Sequence, residues 1–401
     1  MTNLSHISGS NRPLQSQPSS AFALWNLGFR PFYLLASVFS VLAVLVWAAQ
    51  YSGYLPATAY LQGPLWHGHE MLFGYTLAVV AGFLLTAVRA WTGQPTASGL
   101  PLVALALLWL AGRVLVLTPY AMAAALVNAA FPAAVALAIG IPLVRGDNRR
   151  NYFFVGLLLL MSAMILILHL AYQGWLKIPP RMGLQVGLDI MLFIMAVIGG
   201  RVIPMFTNNG VPGIQAARHP VVEKLALGSA LLLLLADLLQ LPAAIIIPIA
   251  AMCALAHALR LYLWQPWRTL AVPLVWILHA GYAWIVVHLV LRALAAGGWV
   301  PESLALHALT LGAIGGLTIG MMTRTARGHT GRPLKADRYE IACYLLIQLA
   351  AVMRVFVAMA LPDAYLATVI AASIFWSTAF ALYAIRYWPI LSRPRLDGKP
   401  G

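Results

Sequence analysis

Apolar runs of about the length of a membrane span follow one another along the chain, separated by short polar connections. The pattern predicts twelve helices, over residues 31–50, 67–89, 98–118, 121–144, 151–174, 183–206, 220–240, 242–263, 269–295, 302–324, 338–360 and 363–387. Residues 1–24 are polar, rich in Ser, Asn, Gln and Pro, and read as a disordered cytoplasmic tail with no cleavable signal. A membrane domain occupies 25–390, and a second tail 391–401.

Composition agrees. Of the 401 residues, 62% are hydrophobic and 9% charged, far below the roughly 25% charge of soluble domains. The formal net charge of +15 would point to nucleic acid in a soluble protein. Here its distribution points to a membrane instead. Of 25 Lys and Arg, 20 fall in the tails and alternate connections, against three (Lys177, Arg181 and Arg292) on the opposite side. Arg113 and Arg354 lie within or near the ends of spans. The positive-inside bias places both termini in the cytoplasm, and the alternation holds only for an even helix count. Cys253 and Cys343 sit in apolar runs and form no CxxC, so neither a disulfide framework nor a thiolate metal site is indicated.

A repeat is visible. Spans 2, 6 and 10 are followed by Thr92-Gly93-Gln94-Pro95, Asn209-Gly210-Val211-Pro212 and Thr330-Gly331-Arg332-Pro333. Each is a turn signal at a cytoplasmic helix end. The glycines are 117 and 121 residues apart. This predicts three four-helix repeats, about 25–145, 146–264 and 265–390, in a pseudo-threefold arrangement.

The chemistry lies on that frame. Trp66-His67-Gly68-His69-Glu70-Met71 puts two imidazoles and a carboxylate at the outer end of span 2, where such groups are rare without a use. His69 and His307 each lie 24 residues before their repeat glycine, and the middle repeat has Val186 there. His169 and His288 lie 41 and 43 residues before theirs. At the rise of an α-helix, His69, His169, His288 and His307 all fall within roughly 5–11 Å of the outer span ends, with His67 at the boundary. Five imidazoles at one level predict one or two metal sites of haem iron or copper. Interhelical hydrogen bonding is the simpler explanation of any one of them. His67 and His69, two apart, point about 200° from each other on a helix. Either the helix starts after His67 or they serve two centres.

His6, His219 and His329 lie in the tail or at cytoplasmic ends. His257 and His279 have no evident partner. Met71, Met205, Met321 and Met322 are possible axial ligands or filler. Glu70 and Asp189 are candidates for proton transfer or for orienting a ligating histidine from behind, Arg113 and Arg292 for neutralising haem propionates. Gly312, Gly315, Gly316 and Gly320 predict close helix approach or room for a porphyrin face.

Four motifs resemble the NnrS family: Asn26-Leu27-Gly28-Phe29-Arg30-Pro31-Phe32-Tyr33, the W-H-G-H-E-M-x-x-G run at 66–74, G-G-R-V-I-P-M-F-T-N-N at 199–209 and M-M-T-R-T-A-R-G-H-T-G-R-P at 321–333. The resemblance implies a bacterial inner-membrane protein containing haem, expected as b-type, and copper, and linked to nitric oxide, denitrification and nitrosative stress. The predicted architecture also resembles the haem–copper oxygen and nitric oxide reductases. In those enzymes helices 2 and 10 supply the two ligands of a low-spin haem, as His69 and His307 would here. Their histidines on helices 6 and 7 and their histidine pair on helix 10 are missing, so the analogy is architectural.

Three functions compete. The first is reduction of nitric oxide to nitrous oxide with electrons from quinol or another donor. It would place haem between His69 and His307, copper at His67, His169 and His288, and protons on Glu70 and Asp189. In the rival assignment His67, His169 or His288 replaces one of the haem ligands. The second function is non-catalytic nitric oxide binding, as a sensor or in limiting iron–nitrosyl damage. The third, a transporter or electron carrier, lacks the discontinuous helix pair of a midplane site.

The charge alternation generates a topology test. Reporter fusions after Tyr60 and after Arg332 should read periplasmic and cytoplasmic respectively. Matching readouts would refute the helix count.

Overall fold

In hydrocarbon every backbone N–H and C=O must be paired within the chain, and helices are the only regular elements among the described residues. The computed structural model describes residues 22–57 and 60–399. The tail expected over 1–24 lies outside the described residues apart from its last three positions.

The helices are α1 (Phe29–Tyr51), α2 (Gly63–Thr92), α3 (Leu100–Val116), α4 (Ala121–Arg145), α5 (Phe153–Tyr172), α6 (Arg181–Gly210), α7 (Pro220–Leu238), α8 (Ala243–Leu263), α9 (Pro273–Ala296), α10 (Glu302–His329), α11 (Arg338–Ala360) and α12 (Tyr365–Leu391). Ten are long and apolar enough to cross a membrane. The other two are α3, with 17 residues, and α7, which carries Glu223, Lys224 and Asp237.

Each helix packs on its chain neighbours, and α12 returns to α1 to close the ring. Inside it, α2 touches α6, α6 touches α9, and α1 touches α10. The core of α2 is 83% buried, that of α6 78%, and those of α9 and α10 67%, against 39–50% for the other six long helices. The inner four carry most of the polar residues singled out from sequence, because only there can protein rather than lipid surround them.

The repeated turn signals are only partly alike. Gly93 and Gly331 adopt left-handed backbone, with φ of 68° and 72°, and end α2 and α10 as glycine C-caps do. Gly210 stays helical, and the left-handed position falls on Gly213. Packing differs too: α2 lies along α4, whereas α6 lies along α7.

Wide, π-helical turns interrupt three helices, at Glu70–Thr76 in α2, Ala308–Gly315 in α10 and Met353–Val357 in α11. The first two begin directly after His69 and His307, a correspondence between α2 and α10 that α6 lacks. The glycine series of α10 serves close helix approach. A Cβ on Gly312 would lie 2.3 Å from Trp284 Cδ2, and one on Gly316 3.0 Å from the Gly281 backbone.

Gly312→Val should therefore force α10 off Trp284 and cost about 1–3 kcal/mol, read as a lowered melting temperature in detergent. An unchanged value would mean that the contact carries no packing constraint.

Candidate metal and cofactor site

The helix α2 starts at Gly63 behind an extended Gln62, with Pro64 in its first turn, where a missing N–H costs nothing. His67 and His69 are therefore both helical, and of the two alternatives open from sequence the structure takes divergence. His69 is completely buried, whereas His67 faces a cavity.

The cavity holds about 910 Å³, within the range of cofactor pockets. Its walls come from α1, α2, α6, α7, α10, α11 and α12 and are mostly apolar. All three π-helical stretches reach it, through Met71, Leu72, Tyr75 and Thr76, through Thr310, Leu311 and Ile314, and through Arg354. A π-turn inserts one residue and rotates the remainder of the helix, a device frequent at functional sites.

His67 and His307 both line this cavity. His67 stacks on Trp47 with centroids 4.8 Å apart. His307 Nδ1 donates to Ser303 O (2.6 Å). A carbonyl only accepts, so the lone pair of His307 is on Nε2, the form a metal binds. Arg354 donates to the Tyr365 hydroxyl (2.5 Å) and leaves Nη1 without a partner. Arg181 and Glu302, 3.9 Å apart, stand at the exposed outer mouth.

His69 belongs to a second set. Its Nδ1 donates to Glu70 Oε1 (2.7 Å), which also accepts from Arg113 Nη1 (2.7 Å). Arg113 Nη2 donates to Asn128. His69 Nε2 faces His169 Nε2 at 3.0 Å, and His169 Nδ1 is bonded to the Tyr60 hydroxyl. Both imidazoles are thus oriented from behind, with their Nε2 atoms opposed, as partners beyond the ligands commonly hold metal-binding histidines.

A third set sits behind the cavity wall. Arg292 bridges Asp189, at 3.0 Å, and Asp237. Gln185 packs against both Asp189 and Arg292. Asp237 and Gln185 line the cavity, and Asp189 is buried directly behind them.

The groupings expected from sequence are therefore not those observed. His69 pairs with His169 rather than with His307, and the residue sharing the cavity with His307 is His67. His67 does not join His169. His288 Nδ1 donates to Ala305 O (2.8 Å), its Nε2 is buried without a partner, and it is not in the cavity wall. Arg113 and Arg292 are occupied by carboxylates, and the arginines that reach the cavity are Arg354 and Arg181. Glu70 is held by His69 and Arg113 away from the cavity. Among the described residues no three His, Cys, Asp or Glu side chains converge as a metal site.

Tyr60, Trp47, Asn128 and Asp237 gave no sequence signal as site residues. Arg354 entered the sequence reading only as a charge within or near the end of a span, and an arginine in an apolar helix is the signal that could have marked it.

A family model for the NnrS protein matches residues 23–395, and the chain belongs to that family. This makes it a nitric-oxide-related membrane protein. No curated protein matches the chain.

Glu70 and Arg113 have side chains 3% and 7% exposed. Removing one charge from such a pair costs about 3–5 kcal/mol, because the other stays buried and unpaired. Glu70→Gln should lower the melting temperature, and the double variant Glu70→Gln, Arg113→Met should recover much of the loss. A single variant as stable as the wild type would show that the pairing does not hold α2 to α3.

Proposed function

We propose that this NnrS-family chain is a twelve-span protein of the bacterial inner membrane that reduces nitric oxide to nitrous oxide. In this reading both termini are cytoplasmic, the three four-helix units surround the cavity, and the metal sites lie toward the periplasm. The observation that carries it is the cavity reached by all three π-helical stretches, with His67 and His307 on its wall.

The residues present fit a b-type haem. The volume is adequate, the walls are apolar, and two imidazoles face the space. Arg354 and Arg181 supply positive charge for carboxylate substituents. When bound, the haem would supply an iron that passes single electrons and, with one of the two imidazoles withdrawn, takes nitric oxide. His67, stacked on Trp47, and His307, fixed by Ser303, would hold it. For copper the fit lies in the donor set, two opposed imidazoles at His69 and His169. Their Nε2 atoms are 3.0 Å apart, and these two residues would hold the metal. Glu70 and Tyr60 would then fix their orientation.

Reduction of two nitric oxide molecules takes two electrons and two protons and yields nitrous oxide and water. Membrane quinol is the electron donor in this reading. The carboxylates nearest the cavity, Asp237 and Glu302 on its wall and Asp189 behind it, are placed to hold protons for the reaction. Trp47, Leu72, Trp376 and the other apolar walls exclude water.

One observation favours a second reading, in which nitric oxide is bound without turnover to limit nitrosative damage. His67 and His69 face different sites, so copper at His69 would not share the cavity with the haem. Anaerobic nitric oxide consumption by the purified protein with a reduced quinol, with analysis of the product gas, separates the two. Catalytic nitrous oxide supports the reductase; uptake that stops at stoichiometry supports the binder.

The ligand assignment has its own test. His67→Ala and His307→Ala should each abolish or convert the haem absorbance bands. His69→Ala and His169→Ala should retain them and lose copper. Haem bands unchanged in His67→Ala but lost in His69→Ala would reverse the assignment.

A further inference from the structure

Buried polar groups line the interior of the α6–α9 unit from its positively flanked, cytoplasmic side outward. Glu223, in the first turn of α7, has a side chain 13% exposed beside the more open Arg218. It accepts from Arg260 Nε (2.8 Å) and Nη2 (2.5 Å). Arg260 Nη1 donates to Ala196 O (2.7 Å) and to the Tyr282 hydroxyl (3.0 Å). The Tyr282 oxygen thus accepts from Arg260, and its proton goes to His257 Nδ1 (2.6 Å). His257 must then carry its own proton on Nε2. That nitrogen is fully buried and makes no hydrogen bond of normal geometry, with only a weak backbone contact from the imidazole to Ala226.

The set is built in. A Cβ on Gly200 would lie 1.7 Å from Arg260 Nη2, so α6 has no side chain where the guanidinium sits. Cys253, His257 and Arg260 form one stripe on the buried face of α8, at helical spacings of four and three residues. One turn along α8 from His257 lies the buried Cys253, and Ser229 is buried on the neighbouring α7. Asp189 and its partner Asp237 stand behind and on the cavity wall.

An ion pair that only pinned α7 to α8 would need Glu223 and Arg260 alone. It would not need a buried tyrosine and a buried imidazole hydrogen-bonded in series behind the guanidinium. Arg260 does not release protons, and Glu223 offsets its charge.

We propose that the interior of the α6–α9 unit conducts protons from the cytoplasmic face to the cavity wall, from Glu223 through Tyr282 and His257 to the Asp189–Asp237 pair. A proton taken up by Glu223 passes through an intervening water to the Tyr282 oxygen as the Tyr282 proton moves to His257 Nδ1. His257 releases its Nε2 proton outward, past Ser229 and Cys253, to Asp189. One proton enters, one leaves and no electron moves. Tautomerisation of the imidazole from Nδ1–H to Nε2–H, with rotation of the Tyr282 hydroxyl, restores the starting state.

The test uses the full-length protein in proteoliposomes with a pH-sensitive dye trapped inside. A potassium gradient with valinomycin drives proton movement. Wild-type vesicles should show flux above protein-free vesicles. Tyr282→Phe and His257→Gln should each cut the initial rate at least tenfold. Tyr282→Phe keeps the Arg260 contacts with Glu223 and Ala196, so the structural pairing survives in it. If His257→Gln does not fold, Tyr282→Phe decides alone, with its elution profile and melting temperature as controls. Wild-type flux equal to that of empty vesicles overturns the proposal, as does a folded variant that conducts like the wild type. The measurement needs no nitric oxide turnover. Flux without turnover would therefore count against the reductase alone, and turnover without flux against the path alone.

Discussion

A charge inside a bundle surrounded by lipid must find its counter-charge within the bundle, because no water is there to solvate it. Four such pairings organise this chain. Glu70 meets Arg113 across α2 and α3, and Asp189 and Asp237 meet Arg292 across α6, α7 and α9. Glu223 meets Arg260 across α7 and α8, and Glu340 meets Arg327 across α10 and α11. Each is completed by neutral partners that use the remaining donors and lone pairs, as Tyr282 does for Arg260 and Tyr387 for Glu340. An apolar surface can slide or rotate on its neighbour at little cost. A buried guanidinium bound in a fork cannot. The pairings therefore set the rotation of the inner helices, and with it the direction of every histidine.

That rotation explains the division of the outer histidines. The orientation of α2 that buries Glu70 against Arg113 also turns His69 toward His169. The helical twist over two residues then sends His67 to the other side, into the cavity. The π-turn after His69 lets the helix continue with Met71, Leu72, Tyr75 and Thr76 on the cavity wall. His307 and its own π-turn reach the same cavity from α10. The result is two imidazole sets, joined through the His67-Gly68-His69 backbone and kept apart in space.

This separation bears on the chemistry. In a site where both metals bind one substrate molecule each, proximity lowers the entropic barrier to joining them. In the reductase reading the cavity would have to supply that proximity itself, and the His69–His169 pair would form a separate centre. Carboxylates obey the same division. Glu70 orients a histidine, while Asp189 and Asp237 stand where protons could reach the cavity.

The helices, their order and the bias of positive charge along the chain are local properties of the sequence. They arise from runs of apolar residues and from where Lys and Arg fall between them. Rise per residue converts sequence position into height along each helix, which is how the sequence predicts one level for five histidines. The divergence of His67 and His69 is legible too, as one of two alternatives. Sequence could not decide which groups face each other across space. The repeat places His69 opposite His307 by equal distance from a glycine, yet depth is only one coordinate, and rotation about each helix axis supplies the other. Rotation comes from contacts between residues far apart in the chain, Glu70 with Arg113 and Asp189 with Arg292. Taken one at a time along the chain, those charges suggest proton carriers and propionate partners rather than partners of one another. The π-turns at 70–76, 308–315 and 353–357 add a further residue of rotation that no apolar periodicity announces. Only the packed structure, in which Glu70, Asp189, Glu223 and Glu340 each meet an arginine from another helix, settles the directions in which the histidines point.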